Sequence, residues 1–167
     1  MQFAPYGVFA LLATLIVEAP KWDLLKSLLL YSFTLIVGLL TLLTFYVVFV
    51  KLVLKKSPNF FFKGILPAQL VAFSTSSSAA TLPVTMDRVH NSLNVKKEVS
   101  SFVLPVGATI NMDGTAVYQA IAAVFIAQTF GIDLSLSAQL GIILTATLAS
   151  IGAAAVPSAG IIVLVIV

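Results

Sequence analysis

The sequence predicts an all-α membrane protein in which transmembrane helices alternate with two re-entrant helical hairpins. Three observations carry this. The chain is 60% hydrophobic and only 9% charged, far from the roughly 25% charged residues of soluble domains. Its basic residues sit in short stretches between uncharged runs long enough to cross a bilayer. Three of the long apolar runs are interrupted by polar or small residues, at Ser74–Ser78, Asn111–Gly114 and Gly152–Gly160. The net charge of +3 is therefore a topology signal facing a lipid bilayer, not a nucleic-acid footprint. The absence of cysteine excludes disulfides and thiolate metal sites.

Residues 1–26 are expected to hold the end of a helix, Phe3–Val17, and an external loop, Glu18–Lys26, with Trp22 at the membrane interface. The apolar run before Glu18 is shorter than the ~20 residues a spanning helix needs. At the other end the chain stops inside an apolar run, Ile161–Val167. An internal fragment, truncated at both ends, is the expectation.

Residues 27–50 carry no charge and give ~36 Å of helix at ~1.5 Å per residue, enough to span a core of ~30 Å with some tilt. The following stretch carries Lys51, Lys55, Lys56 and Lys63, which places it on the cytoplasmic side as an anchor facing anionic lipid. The uncharged run Gly64–Met86 has a second basic flank, with Arg88, Lys96 and Lys97. Two basic flanks on one side, with the serine run Ser74–Ser78 midway and Pro67 and Pro83 further out, predict a re-entrant hairpin over 58–89. Non-helical backbone at that depth is tolerated only where protein buries it or it lines a cavity. Asp87–Glu98 reads as a charged loop, and its His90, the one histidine, as a solvated residue.

Residues 99–130 then cross to the outside as a broken helix. Asp113 is the only charge between Val99 and Ile132, and a lone carboxylate at membrane depth marks a functional site by default. Asn111 and Gly114 interrupt a helix rather than extend it. The reading is a broken helix whose freed carbonyls, with Asp113, hold a cation. Tyr118, one turn on, reads equally as a neighbour of that site or as a core tyrosine. The loop after it carries Asp133 and no base, as an external face would. Residues 137–167 predict an incomplete second hairpin, broken at Gly152–Gly160, where small residues and Pro157 cannot sustain a regular helix. Hairpins entering from opposite faces around an interrupted helix are the signature of inverted-repeat secondary transporters.

Three motifs now carry a resemblance: Ser76-Ser77-Ser78 with Ala80-Thr81-Leu82-Pro83, then Asn111-Met112-Asp113-Gly114-Thr115, then Ser150-Ile151-Gly152 with Val156-Pro157. In order and spacing the chain resembles the dicarboxylate/amino acid:cation symporter family, which includes the glutamate transporters, over nearly its whole length. The resemblance implies an elevator-type homotrimer in the cell (plasma or inner) membrane, with residues 27–167 forming a partial transport domain. It implies that Ser76, Ser77, Ser78 and Thr115 contact an acidic amino acid or C4 dicarboxylate. The tip Val156, Pro157, Ser158, Ala159 and Gly160 would close over the substrate as a gate. For sodium ions it implies carbonyls of Gly107 and Asn111 at one site, and the Asn111 side chain with Asp113 at another. A third would use carbonyls of Thr109, Ser150, Ile151 and Ala153, with the Met112 sulfur nearby. Oxygen donors of this kind suit a hard cation.

Two departures accompany the match. Position 76 is serine, as in animal-type members, where many prokaryotic relatives have arginine. Ala155 and Ser158 replace glycines common in prokaryotic relatives, which would stiffen the gate. The eighth helix, which in this family selects the substrate, lies outside these residues. The expected function is sodium-coupled symport of glutamate, aspartate or a C4 dicarboxylate. The alternatives are a proton-coupled or neutral-amino-acid carrier of the same family, or a fragment that transports nothing alone. An intramembrane serine hydrolase would need a base to activate a serine, and His90 in a charged loop is the only histidine available. The chain is expected not to be an enzyme.

Overall fold

A computed structural model of the chain describes residues 22–153, 159–164 and 167. The helix expected over Phe3–Val17, and the gate residues Val156, Pro157 and Ser158, lie outside the described residues. Those described form seven helices and no strand: α1 Trp22–Leu52, α2 Pro58–Thr75, α3 Ser78–Asn91, α4 Lys97–Ile110, α5 Asp113–Thr129, α6 Leu136–Ile151 and α7 Ala159–Val163. The chain divides into two compact units, 1–34 and 35–167, and the packing described below belongs to the second.

The helix expected over 27–50 begins earlier, at Trp22, so Trp22–Lys26 is helical rather than loop. By length and composition, Lys26–Leu52 and Lys97–Thr129 are apolar enough to cross a membrane. Large apolar side chains face outward, with Phe73 89% and Phe102 74% exposed, which suits a lipid-facing surface better than a watery one. Hydroxyls on the apolar helices α1 and α6 are satisfied locally. Thr41, Thr44, Thr145 and Thr147 each donate to the carbonyl four residues back at 2.8 Å, so each polar group is paired where water is scarce.

Helices α2 and α3 pack together as a helical hairpin. Its two ends meet where Arg88 Nε donates to the Gly64 carbonyl at 3.1 Å. A Cβ at Gly64 would stand 2.7 Å from Leu93 Cδ2, so glycine is what lets the chain beyond α3 press against α2. Pro67, Pro83 and Pro105 all lie inside helices, not at the breaks. The charged stretch Asp87–Glu98 is mostly not a loop: α3 runs through Asp87, Arg88 and His90 to Asn91, and α4 starts at Lys97. Arg88 and His90 occupy the last turn of α3, where positive charge is favourable. His90 is exposed, with Nδ1 3.0 Å from the Val95 carbonyl. Beyond it α3 packs on α4, and α5 packs on α6. Helix α7 packs on both α5 and α6.

Candidate functional site: the α4–α5 break

The apolar run of residues 99–130 is divided at two residues. Asn111 (φ −94°, ψ 78°) and Met112 (φ −112°, ψ 52°) leave the helical region. Asn111 N–H still reaches Gly107 O at 2.9 Å, but Met112 N–H turns back to Ile110 O at 3.2 Å. The ladder of four-residue bonds thus stops at Met112, and the last carbonyls of α4 lose their regular helical partners. The new helix starts at Asp113, whose carboxylate sits at the positive end of the α5 dipole.

Two neutral donors converge on that carboxylate. The Tyr46 hydroxyl of α1 donates to Asp113 Oδ2. The Asn111 amide lies against both oxygens, and with its NH2 on that side it donates at 2.9 and 3.2 Å. Among the described residues, no lysine, arginine or histidine pairs with Asp113. These two donor groups partly replace water, yet they leave the charge uncompensated in an apolar run, where that is costly. A small cation is the species that would complete this site. No three His, Cys, Asp or Glu side chains gather among the described residues, so the available donors are oxygens of carboxylate, amide and backbone, which fit a hard cation.

Thr115, two residues on, meets α7. A Cβ at Gly160 would stand 3.0 Å from Thr115 Cγ2 and 4.0 Å from Tyr118 Cδ1, so the arm carrying Gly160 lies directly on the first turns of α5. Gln119 fastens it: Nε2 donates to the Gly160 carbonyl at 3.0 Å from a fully buried side chain. Its Oε1 has no hydrogen-bond partner among the described residues. Gln119→Leu should leave the Gly160 carbonyl unpaired at a cost of about 1–3 kcal/mol. Amide hydrogen exchange over 159–163 of the intact protein is expected to accelerate about 5-fold or more. Unchanged protection there would remove Gln119 as the fastening residue.

The first hairpin tip is a two-residue reversal. Ser76 takes the left-handed conformation (φ 49°, ψ 32°) and Ser77 an extended one (φ −135°, ψ 117°). The Ser77 hydroxyl caps α3 by accepting from Ala80 N–H at 3.3 Å, and its carbonyl accepts from the Thr81 hydroxyl at 2.8 Å. Ser77 is buried, while Ser76 and Ser78 are exposed. No hydrogen bond joins Ser76 or Ser78 to Asn111–Thr115 among the described residues. Thr115 and Gly160 are brought together.

The remaining cation-ligand candidates are placed as follows. The Gly107 carbonyl accepts the Asn111 N–H at 2.9 Å and has one lone pair left. Thr109 is exposed, with its hydroxyl on Val106 O at 2.9 Å. Ser150 and Ala153 are buried at the end of α6, where Ala153 N–H binds Ser150 O at 3.2 Å. Ile151 is exposed and Met112 half-buried. Tyr118 lies beside α7, with Cδ1 4.0 Å from where a Gly160 Cβ would stand. Tyr46 and Gln119 were not singled out by the sequence, since one polar tip in an apolar helix leaves no spacing pattern.

The sodium:dicarboxylate symporter family model matches residues 1–167. The chain is 48% identical over 174 residues to mouse excitatory amino acid transporter 3 and 46% over 175 residues to mouse excitatory amino acid transporter 1, with 100% of this chain and 32% and 31% of those proteins covered. It is 45% identical over 170 residues to an excitatory amino acid transporter of Caenorhabditis elegans, covering 100% of this chain and 34% of that protein. These relatives are named as transporters, not enzymes, and the chain spans about a third of their length. Its three motifs and its full-length match together place the chain in the sodium:dicarboxylate symporter family.

Proposed function

We propose that the protein containing this chain is a multi-pass carrier of the cell membrane that couples sodium to uptake of an acidic amino acid or C4 dicarboxylate. Asp113 carries the proposal: a carboxylate at a helix break, solvated by two neutral donors and lacking a basic partner among the described residues. Broken helices with such sites near the membrane midplane are how secondary transporters hold ions and anionic substrates. Asn111 and Asp113 would hold sodium through the amide and carboxylate, aided by carbonyls of Gly107 and Thr109. Ser150, Ile151, Ala153 and Met112 would serve a further ion.

The substrate would lie between the first turn of α5 and the two hairpin tips. The N-terminal ends of α3 and α5 favour a carboxylate, and Ser76, Ser77, Ser78 and Thr115 add hydroxyls. The second hairpin would close the site as a gate, since its Gly160 already rests on Thr115. Ion and substrate then share one turn, Asp113 to Thr115, so ordering it for one ligand lowers the cost of binding the other. Re-entrant entry of both hairpins and a homotrimeric, elevator-type assembly belong to the same proposal through family membership.

The test is uptake of labelled aspartate by the full-length protein in vesicles. Uptake is expected with an inward sodium gradient and to vanish when choline replaces sodium. Excess glutamate or a C4 dicarboxylate should compete, and a neutral amino acid should not. Uptake driven equally well by a proton gradient without sodium would overturn the coupling ion, and competition by neutral amino acids alone would overturn the substrate class.

A further inference from the structure

We infer that Tyr46 is a positioning residue for the cation at Asp113, an inference that rests on the cation site proposed above. Tyr46 lies in α1, 67 positions from Asp113 in sequence, and its hydroxyl donates to Oδ2. The backbone beneath that hydroxyl is held against α5 from a second point. A Cβ at Gly38 would stand 2.9 Å from Ile121 Cδ1 and 3.2 Å from Val117 Cγ1. Gly38 lies eight residues before Tyr46, and Val117 and Ile121 lie four and eight residues after Asp113. The two helices therefore run antiparallel along this seam, with Gly38 opposite one end and Tyr46 opposite the other.

This geometry fixes one carboxylate oxygen. Asp113 is the first residue of its helix, beside two residues of non-helical backbone, and among the described residues Tyr46 and the neighbouring Asn111 amide are what hold its side chain. An ionised carboxylate offers about four lone-pair positions, and a phenol uses one of them. With Oδ2 tied to Tyr46, the carboxylate plane is set and the remaining lone pairs stay available to an ion. The Asn111 amide can reverse to present its oxygen, whereas the Tyr46 donor cannot reverse and does not need to leave. Tyr46 acts through Asp113 and adds no charge. Partners that orient ligands in this way change cation affinity about 10- to 100-fold when removed.

Tyr46→Phe removes the hydroxyl while keeping the ring that stands edge-on to Phe45 at 5.7 Å. The experiment is a substrate-free thermal melt of the purified full-length protein, titrated with sodium at constant ionic strength, for wild type, Tyr46→Phe and Asp113→Asn. Tyr46→Phe is expected to raise the sodium concentration for half-maximal stabilisation about 10-fold, with the melting temperature in choline unchanged. A merely structural tyrosine would instead lower the melt in choline and leave the sodium midpoint alone. An unchanged or lower sodium midpoint in Tyr46→Phe, with Asp113→Asn strongly shifted, overturns the inference and leaves the cation site standing. A wild-type midpoint in Asp113→Asn itself overturns the cation site.

Discussion

Asp113→Asn in the full-length protein is expected to raise the sodium concentration for half-maximal uptake by about two decades or more. The substitution keeps the shape of the side chain and can still accept from the Tyr46 hydroxyl, so the break between α4 and α5 should survive. What it removes is the only formal charge in the run from Val99 to Ile132. Taking one partner from a buried charge pair costs roughly 3–5 kcal/mol, and every ~1.4 kcal/mol is tenfold in affinity. Surface pairs are worth far less; the large effect follows from the apolar setting, where water cannot substitute. Uptake assayed over a wide sodium range checks it. Wild-type sodium dependence in the variant would mean that Asp113 is a structural carboxylate satisfied by Tyr46 and Asn111 alone.

Gly160→Ala is the second large effect, because the new methyl would stand 3.0 Å from Thr115 Cγ2. That is too close for carbon atoms, and Thr115 sits on a helix that cannot retreat freely. Overpacking of this kind costs about 1–3 kcal/mol, here charged to docking the second-hairpin arm on α5. Apparent substrate affinity is expected to weaken about 10-fold. Thr115→Ser removes Cγ2 and keeps the hydroxyl, so the pair Gly160→Ala with Thr115→Ser should recover most of the loss. A double-mutant cycle on substrate binding reads this directly. Strict additivity would show that the arm is not resting on Thr115 when substrate binds.

Parts of this architecture were legible because they violate the chemistry of an apolar helix. Asn111, Asp113 and Gly114 inside a long uncharged run signal a break, and the helices do part at Asn111 and Met112. The serine run at 74–78 marks the α2–α3 reversal, which falls at Ser76 and Ser77. The charged stretch Asp87–Glu98 was less legible, since a solvated helix end and a solvated loop have the same composition. Trp22–Lys26 is helical although Asp23 and Lys26 suggest a solvated loop, for the same reason.

Tyr46 and Gln119 were hidden for a different reason. Each is one polar tip in an apolar helix, and its role exists only once another element lies across it. Tyr46 matters because α1 meets α5 along the seam marked by Gly38, and Gln119 because Gly160 is laid over α5. Such partnerships are tertiary facts with no local spacing to reveal them. Motif position relates Thr115 and Gly160 in sequence; their contact arises only where α7 is laid over α5.

Coupling of ion and substrate follows from their proposed sharing of the turn Asp113 to Thr115. It is tested most directly by measuring the dissociation constant of aspartate for the purified full-length protein at a series of sodium concentrations. Aspartate affinity is expected to rise steadily with sodium, and by linkage aspartate should tighten sodium binding by the same factor. An aspartate affinity independent of sodium from micromolar to molar concentration would contradict it.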